Sequence, residues 1–521
     1  MLLQNFLEES AYKFPKKEAL ICGEERWTYE EINHKSNQLA TFLRDQGICR
    51  GDRVAIFMDN SVESVISLFG ILKADAVFLM LSPTLKPLKL AYILNNCQAK
   101  ALVTHVSKLN VLLDAFEATP TIQFTIFSGD KTKIPGHYLS KSTLWDEIFS
   151  SSCSLLLAPC CNIDLDLATI IYTSGSTGNP KGVMLTHLNM ISAATSITTY
   201  LENVPEDIII NVLPLSFDYG LYQVLMAFKF GGTVVLEKSF TYPYEVIKKM
   251  VKEKVTGFPG VPTIFAILLQ MDDLSRFDFS SLRYITNTAA PLPVPYIKRL
   301  REIFPHARLY SMYGLTECKR VSYLPPEEID RRPQSVGRGM PNEEVWIVDE
   351  SGKRVGPGVV GELVVRGSNV MRGYWADPEA TDRVLKPGIL PGEKVLYTGD
   401  LFKMDEEGFL YFVGRKDDMI KTKGERVSPK EVEEAIHALE GVAEAAVIPV
   451  PDEILGQAIK AYVVPKNGYS LKEKELILHC KKMLEDFAVP KYFEIRDSLP
   501  KNASGKIDKL LLKKEIERNG Q

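Results

Sequence analysis

Residues 172–182 read Tyr-Thr-Ser-Gly-Ser-Thr-Gly-Asn-Pro-Lys-Gly. Thr173, Ser174, Ser176 and Thr177 offer hydroxyls, and Lys181 adds a compact point charge. Gly175 and Gly178 let the backbone turn tightly and come close to a ligand. Bare N–H groups and hydroxyls in such a loop can cradle phosphate oxygens. Residues 168–172 form a short apolar β-type run, and residues 182–189 lead toward a helix, so a phosphate loop between a strand and a helix is predicted. It is not of the Gly-x-x-x-x-Gly-Lys-Ser/Thr kind. The spacing from Gly175 to Lys181 is wrong, and Gly182 stands where the metal-binding hydroxyl would be. A flexible Gly/Ser/Thr surface loop would have the same composition.

Four further groups could work beside that loop. Residues 312–317, Met-Tyr-Gly-Leu-Thr-Glu, set the Thr316 hydroxyl and the Glu317 carboxylate just past a predicted strand. Ligands bind at the C-terminal ends of parallel strands; a strand running into a capped helix is the plainer reading. Residues 397–400, Tyr-Thr-Gly-Asp, put Asp400 after a tight turn, where a carboxylate can accept two neighbouring hydroxyls or merely close an Asx turn. Residues 414–427 carry Arg415, Asp417 and Gly424 in a charged stretch that reads equally well as a linker. Residues 502–508 place Lys506 in a polar loop near the C-terminus, where lysines are usually solvated surface.

Taken together and in this order, the five groups closely resemble the motifs of the adenylate-forming superfamily: acyl-CoA synthetases, luciferases and the adenylation domains of peptide synthetases. The resemblance spans residues 10–515. It implies an ATP-dependent acid–thiol ligase that forms an acyl-adenylate, releases pyrophosphate and passes the acyl group to a phosphopantetheine thiol on CoA or a carrier protein. By resemblance, the 173–178 loop holds phosphate, Tyr313 stacks on adenine beside Gly314, Thr316 approaches the α-phosphate and Glu317 holds Mg²⁺. Asp400 and Arg415 are implied to bind ribose and phosphate, and Asp417 to be the hinge of a turning C-terminal domain. Gly424 would face the site during thiol transfer, and Lys506 and Lys181 would neutralise phosphate charge. A luciferase-like oxygenase and a non-catalytic nucleotide-binding module are the rival readings.

The acid itself is less legible. Residues 217–218, Phe-Asp, resemble the Phe-Asp of amino-acid adenylation domains, whose aspartate meets the substrate ammonium; many acyl-CoA synthetases have a histidine near here. A buried carboxylate is costly unless paired, so Asp218 either meets an amine on the substrate or caps the following helix. Tyr219 and Tyr222 are expected to narrow the pocket against long alkyl chains. Lys319 and Arg320 add positive charge, and Arg320 could bind a second carboxylate or pair with Asp218. Residues 313–326 resemble stand-alone ligases that load carrier proteins, some with proline-like acids. A fatty or aryl acid lacking an amine stays open as the alternative.

These residues need a large scaffold. The 521 residues are too many for one core. Hydrophobic residues at 45%, charged residues at 25% and a net charge of −4 describe an ordinary globular composition and argue against a nucleic-acid surface. No apolar run reaches membrane-spanning length, and the first residues lack a basic, apolar leader, so a cytoplasmic location is expected. Eight cysteines without a Cys-x-x-Cys pair and seven scattered histidines give no structural zinc pattern.

Strand-like runs at 53–58, 77–81, 99–104, 207–213, 233–236, 282–286 and 307–312 alternate with helical runs at 28–47, 61–74, 88–97, 244–253 and 295–304. That alternation predicts parallel α/β sheets. Thr28 and Glu31 form a capping-box pattern, and residues 61–74 read as an amphipathic helix. Residues 107–166 look irregular and peripheral. Residues 345–365 predict a β-rich subdomain. The expected layout is an α/β N-terminal AMP-binding domain over 1–414, a hinge at 415–418, and a small mobile α+β domain over 419–521.

Overall fold

A computed structural model describes residues 1–116, 118–136, 141–150, 160–173, 180–271, 273–416, 418–422, 425–452, 456–484, 486–502 and 505–519. Four sheets form among the described residues. The first has nine strands in the order Arg338–Gly339, Ser322–Leu324, Arg308–Tyr313, Tyr284–Asn287, Gly257–Gly260, Ile208–Asn211, Thr233–Leu236, Glu18–Cys22 and Glu25–Thr28. Its six middle strands are parallel and both edges are antiparallel.

The second sheet has eight strands: Gly373–Tyr374, Lys181–Thr186, Leu167–Thr173, Val77–Met80, Arg53–Phe57, Ala101–His105, Phe124–Ser128 and Ser142–Leu144. All are parallel from Leu167–Thr173 onward. The third, wholly antiparallel, is built on the long strand Lys394–Met404, which pairs with Gly361–Gly367, Leu385–Pro387 and Leu410–Arg415. The fourth gathers Ile420–Thr422, Glu425–Val427, Val442–Asp452, Gly456–Pro465 and Tyr492–Ile495, with the helices Pro429–His437, Glu473–Met483 and Lys509–Asn519.

Local sequence explains the helices that hold the two large sheets together. Thr28 caps the helix Tyr29–Asp45: its side chain accepts from Glu31 N–H at 3.3 Å, and its own N–H donates to the Glu31 carboxylate at 2.8 Å. Ile32, Leu39 and Leu43 are buried on one face of this helix. The helix Val62–Lys73 is not amphipathic in its setting. Every residue except Glu63 is buried, because other elements cover it on all sides. A Cβ at Gly70 would meet Leu39 Cδ2 at 2.8 Å, so glycine permits the close helix crossing. Phe69 stacks on Phe228 of the helix Asp218–Phe230, with ring centroids 5.1 Å apart. Deleting either ring would cost about 3–5 kcal/mol. One buried cluster runs through both parallel sheets and into the antiparallel one, whereas the C-terminal unit has its own core around Val432, Val447, Ile459 and Leu476.

Residues 107–166 contribute more than the sequence suggested. They supply the helix Leu109–Phe116 and the outer strands Phe124–Ser128 and Ser142–Leu144, continuing the parallel sheet. The strand Gly257–Gly260 was hidden by its composition, Gly-Phe-Pro-Gly, since proline cannot donate to a ladder. Its ladder to Ile208–Asn211 holds one pair, Ile209 with Gly257, so Pro259 interrupts nothing on that side. No helix among the described residues is long and apolar enough to cross a membrane.

Candidate active site

The predicted phosphate loop joins two antiparallel strands, not a strand and a helix. Thr173 pairs with Lys181 and Tyr172 with Gly182 at the base of a hairpin. The helix begins only at His187, after a capping box between Thr186 and Asn189. A period-2 run followed directly by a helical cap left no visible break between strand and helix in the sequence. The loop tip, with Ser174, Gly175, Ser176, Thr177 and Gly178, lies outside the described residues. Gly182 is held to glycine by packing, since a Cβ there would sit 2.7 Å from Ile170 Cγ2.

Lys181 leaves this hairpin with its Nζ 5.4 Å from the centre of the Tyr374 ring. Tyr374 belongs to the short strand Gly373–Tyr374, which adds to the edge of the same sheet opposite Val183. Its hydroxyl donates to Glu317 Oε1 at 2.7 Å. Sequence reasoning missed Tyr374. A two-residue edge strand has no periodicity, and the only hint was Gly373, whose φ of +145° favours glycine.

Tyr313 ends the strand Arg308–Tyr313, and residues 314–320 then fold back as a turn, not a capped helix. A Cβ on Gly314 would lie 2.2 Å from the Lys319 carbonyl oxygen, so only glycine lets this turn close. Thr316 and Glu317 are half-buried within it. The Tyr313 hydroxyl donates to Asp400 Oδ2 at 2.5 Å, and its ring packs against Phe402 and Phe412. Asp400 pairs across the antiparallel ladder with Arg415, whose Nε lies 3.2 Å from Oδ1. Burial raises the Asp400 carboxyl above its ordinary range against the pull of Arg415. Oδ1 itself accepts no hydrogen bond among the described residues.

Lys506 reaches the same place from the C-terminal unit. Asn502 Oδ1 accepts from Lys506 N–H at 3.0 Å, and Gly505, at φ +79°, packs so that a Cβ would lie 3.2 Å from Thr263 Oγ1. The surrounding protein lowers the Lys506 pKa, as does nearby Arg415, while Asp218, Asp400 and Glu317 oppose the shift. Lys506 is nonetheless an exposed residue. The C-terminal unit is tied down by Tyr296 Oη to Ala443 O at 2.8 Å, Lys430 Nζ to Phe412 O at 2.9 Å, and Ser428 Oγ to Val413 O. Asp417 and Gly424 lie outside the described residues.

At the inner end, Asp218 is the first residue of its helix and makes no side-chain cap; Phe217 stands at the cap position. Its carboxylate is already paired with Lys319, at 3.5 Å. Lys319 is 4% exposed and sits over the Tyr222 and Tyr219 rings at 4.3 and 5.4 Å. Burial lowers its pKa to about 7, with Asp218 opposing. The pairing of Asp218 with Arg320 that the sequence allowed is therefore not made: Lys319, at φ +65°, is the residue turned toward Asp218. Arg320 instead donates to Thr288 Oγ1 at 2.5 Å. Tyr219 and Tyr222 are both buried, and the Tyr219 hydroxyl bonds the Thr286 carbonyl at 2.9 Å. Among the described residues no cluster of three His, Cys, Asp or Glu could hold a metal alone.

The chain matches the AMP-binding enzyme family over residues 7–375 and the AMP-binding enzyme C-terminal domain over 431–506. It is 34% identical to a long-chain-fatty-acid–CoA ligase of Bacillus subtilis (strain 168), covering 99% of this chain and 95% of that one. Its fold is similar to that of the anthranilate CoA ligase AuaEII in complex with anthranoyl-AMP, with a TM-score of 0.90 at 26% identity over 100% and 98% of the two chains. It is similar also to ATP-bound MatB from Rhodopseudomonas palustris, with a TM-score of 0.87 at 28% identity over 99% of each chain. With its five motifs, both matched domains and this architecture, the chain belongs to the AMP-binding enzyme family and is an AMP-forming ligase.

Proposed function

We propose that the cleft described above activates a carboxylic acid with ATP and hands the acyl group to the thiol of CoA. The observation that carries this reading is the convergence of Lys506, Glu317, Asp400 and Arg415 in one place from separate parts of the fold. In the first step a carboxylate oxygen attacks the α-phosphorus, the bond to pyrophosphate breaks, and acyl-adenylate remains. Two anions must meet, so catalysis here is positioning plus charge stabilisation. In this reading Lys506 would neutralise the charge that builds between carboxylate and α-phosphate, Thr316 would approach the α-phosphate, and Lys181 would serve the outgoing phosphates with the 173–178 loop.

Asp400 Oδ1, which accepts no hydrogen bond among the described residues, would suit a ribose hydroxyl, with Arg415 paired alongside. Tyr313 and Gly314 would flank the adenine. Glu317 would hold Mg²⁺, which commonly takes one or two carboxylates and completes its shell with water and substrate phosphates. That ion would supply further charge neutralisation at the phosphates. Tyr374 holds the Glu317 carboxylate in orientation.

In the second step the thiol sulfur attacks the acyl carbon, AMP leaves with the bonding pair, and the thiol proton passes to solvent. For this we place the division of the chain at 1–414 and 419–521, with 415–418 as the hinge about Asp417. Rotation withdraws Lys506 and brings in the face bearing Gly424. A carrier protein presents the same phosphopantetheine arm and is the competing acceptor.

The test is acid-dependent ATP–pyrophosphate exchange, followed by AMP release on adding CoA or a loaded carrier. Exchange with thioester formation on CoA is expected. Nucleotide binding without exchange across amino, aryl, short and long acids would overturn the assignment.

A further inference from the structure

The inner end of the cleft carries two cations and one anion. Lys319, Arg320 and Asp218 are 4%, 2% and 9% exposed. Lys319 and Asp218 answer each other at 3.5 Å. Arg320 has no such answer. One terminal nitrogen donates to Thr288 Oγ1, its guanidinium carbon lies 5.5 Å from the Tyr219 ring centre, and it neighbours the Tyr200 hydroxyl. Among the described residues its buried Nε has no acceptor and no carboxylate pairs with the guanidinium. A lysine can escape burial by losing its proton, but a guanidinium cannot. A buried charge without a counter-ion is among the costlier features a fold can keep.

We propose that Arg320 reads a second carboxylate at the far end of the substrate, so that the enzyme activates diacids. This rests on the acid-ligase reading above and deepens it. A diacid meets Lys506 with its reacting end and Arg320 with its distal end, and the planar fork of a guanidinium matches a carboxylate with two parallel hydrogen bonds. An alkyl chain would leave the charge and Nε unanswered. A hydroxyl or keto group would answer the hydrogen bond and not the charge. An ammonium would meet Asp218 already paired with Lys319 and the positive charge of Arg320 beside it.

The experiment compares matched acids in ATP–pyrophosphate exchange: butyrate with glutarate, hexanoate with pimelate, benzoate with its three ring dicarboxylates, and the corresponding amino acids. At least one diacid is expected to exceed its partner in kcat/KM by about 10²-fold or more, because the poorer partner strands a buried polar group. Arg320→Met should collapse that ratio, and Arg320→Lys, which keeps a cation but loses the fork, should leave part of it. The favoured diacid should raise Tm in the wild type and not in Arg320→Met, while ATP raises it in both. Monoacids or amino acids matching the diacids in the wild type, or a ratio that survives in Arg320→Met, would overturn the role of Arg320 alone. Exchange with no acid of any kind would overturn the ligase reading itself.

Discussion

The hydroxyl of Tyr374 donates to Glu317 Oε1 at 2.7 Å while Lys181 stands over the same ring. One aromatic side chain thus links the edge of the eight-stranded sheet to the turn that follows Tyr313. Tyr374→Phe keeps the ring and frees one Glu317 oxygen. Exchange is expected to slow roughly tenfold, the size of one lost hydrogen bond to a charged group, with a higher Mg²⁺ concentration needed for half-maximal rate. A Mg²⁺ titration identical to wild type would remove Tyr374 from the site.

On the proposed mechanism Lys506 serves the first half-reaction and not the second. Lys506→Ala should lose acyl-adenylate formation by about 10²–10³-fold while thioester formation from supplied acyl-adenylate continues. Asp417→Pro should show the reverse. The lowered pKa of Lys506 also sets an alkaline limb: kcat/KM should fall at a pH below the ordinary lysine value of 10.5, and Lys506→Arg should move that limb upward. Equal loss of both steps in Lys506→Ala would contradict this division.

Asp218 and Lys319 behave as one unit. Removing either partner leaves a buried charge, so Asp218→Asn and Lys319→Met should each destabilise by about 3–5 kcal/mol, and the double variant by much less than the sum. Because folding lowers the Lys319 pKa to about 7, the folded chain releases that proton while the unfolded chain keeps it up to about 10.4. The unfolded state then binds more protons, and stability from this group rises with pH across that window. Urea unfolding at pH 7 and pH 9 should show the wild type gaining on the double variant.

The Thr28 cap gives a stability test remote from the cleft. Thr28→Ala should cost about 1 kcal/mol and leave turnover unchanged at temperatures where the protein is folded. A kinetic effect would mean that the helix Tyr29–Asp45 does more than pack.

Much of the scaffold was legible because strand and helix periods alternate cleanly: the strand Thr233–Leu236 and the cap at Thr28 both lie where the sequence placed them. Short elements were not legible. Gly257–Gly260 has two glycines and a proline around its one strand-forming residue, Phe258, and Gly373–Tyr374 is too short to have a period. At the site, residue types were readable and partnerships were not. Asp218 was visible as a costly carboxylate, yet its partner is a lysine 101 positions away whose left-handed backbone directs it inward. Only the fold brings that pair together.

The side chains of the site come from four parts of the fold: Lys181 and Tyr374 from the eight-stranded sheet, Tyr313 from the nine-stranded sheet with Glu317 in the turn after it, Asp400 and Arg415 from the antiparallel sheet, and Lys506 from a loop of the C-terminal unit. No sheet owns a working site. Catalysis therefore gauges the alignment of these bodies, and circular dichroism gauges the bodies themselves. On gradual warming turnover should fade before ellipticity does, with nucleotide and acid together narrowing the gap by clasping the bodies in register.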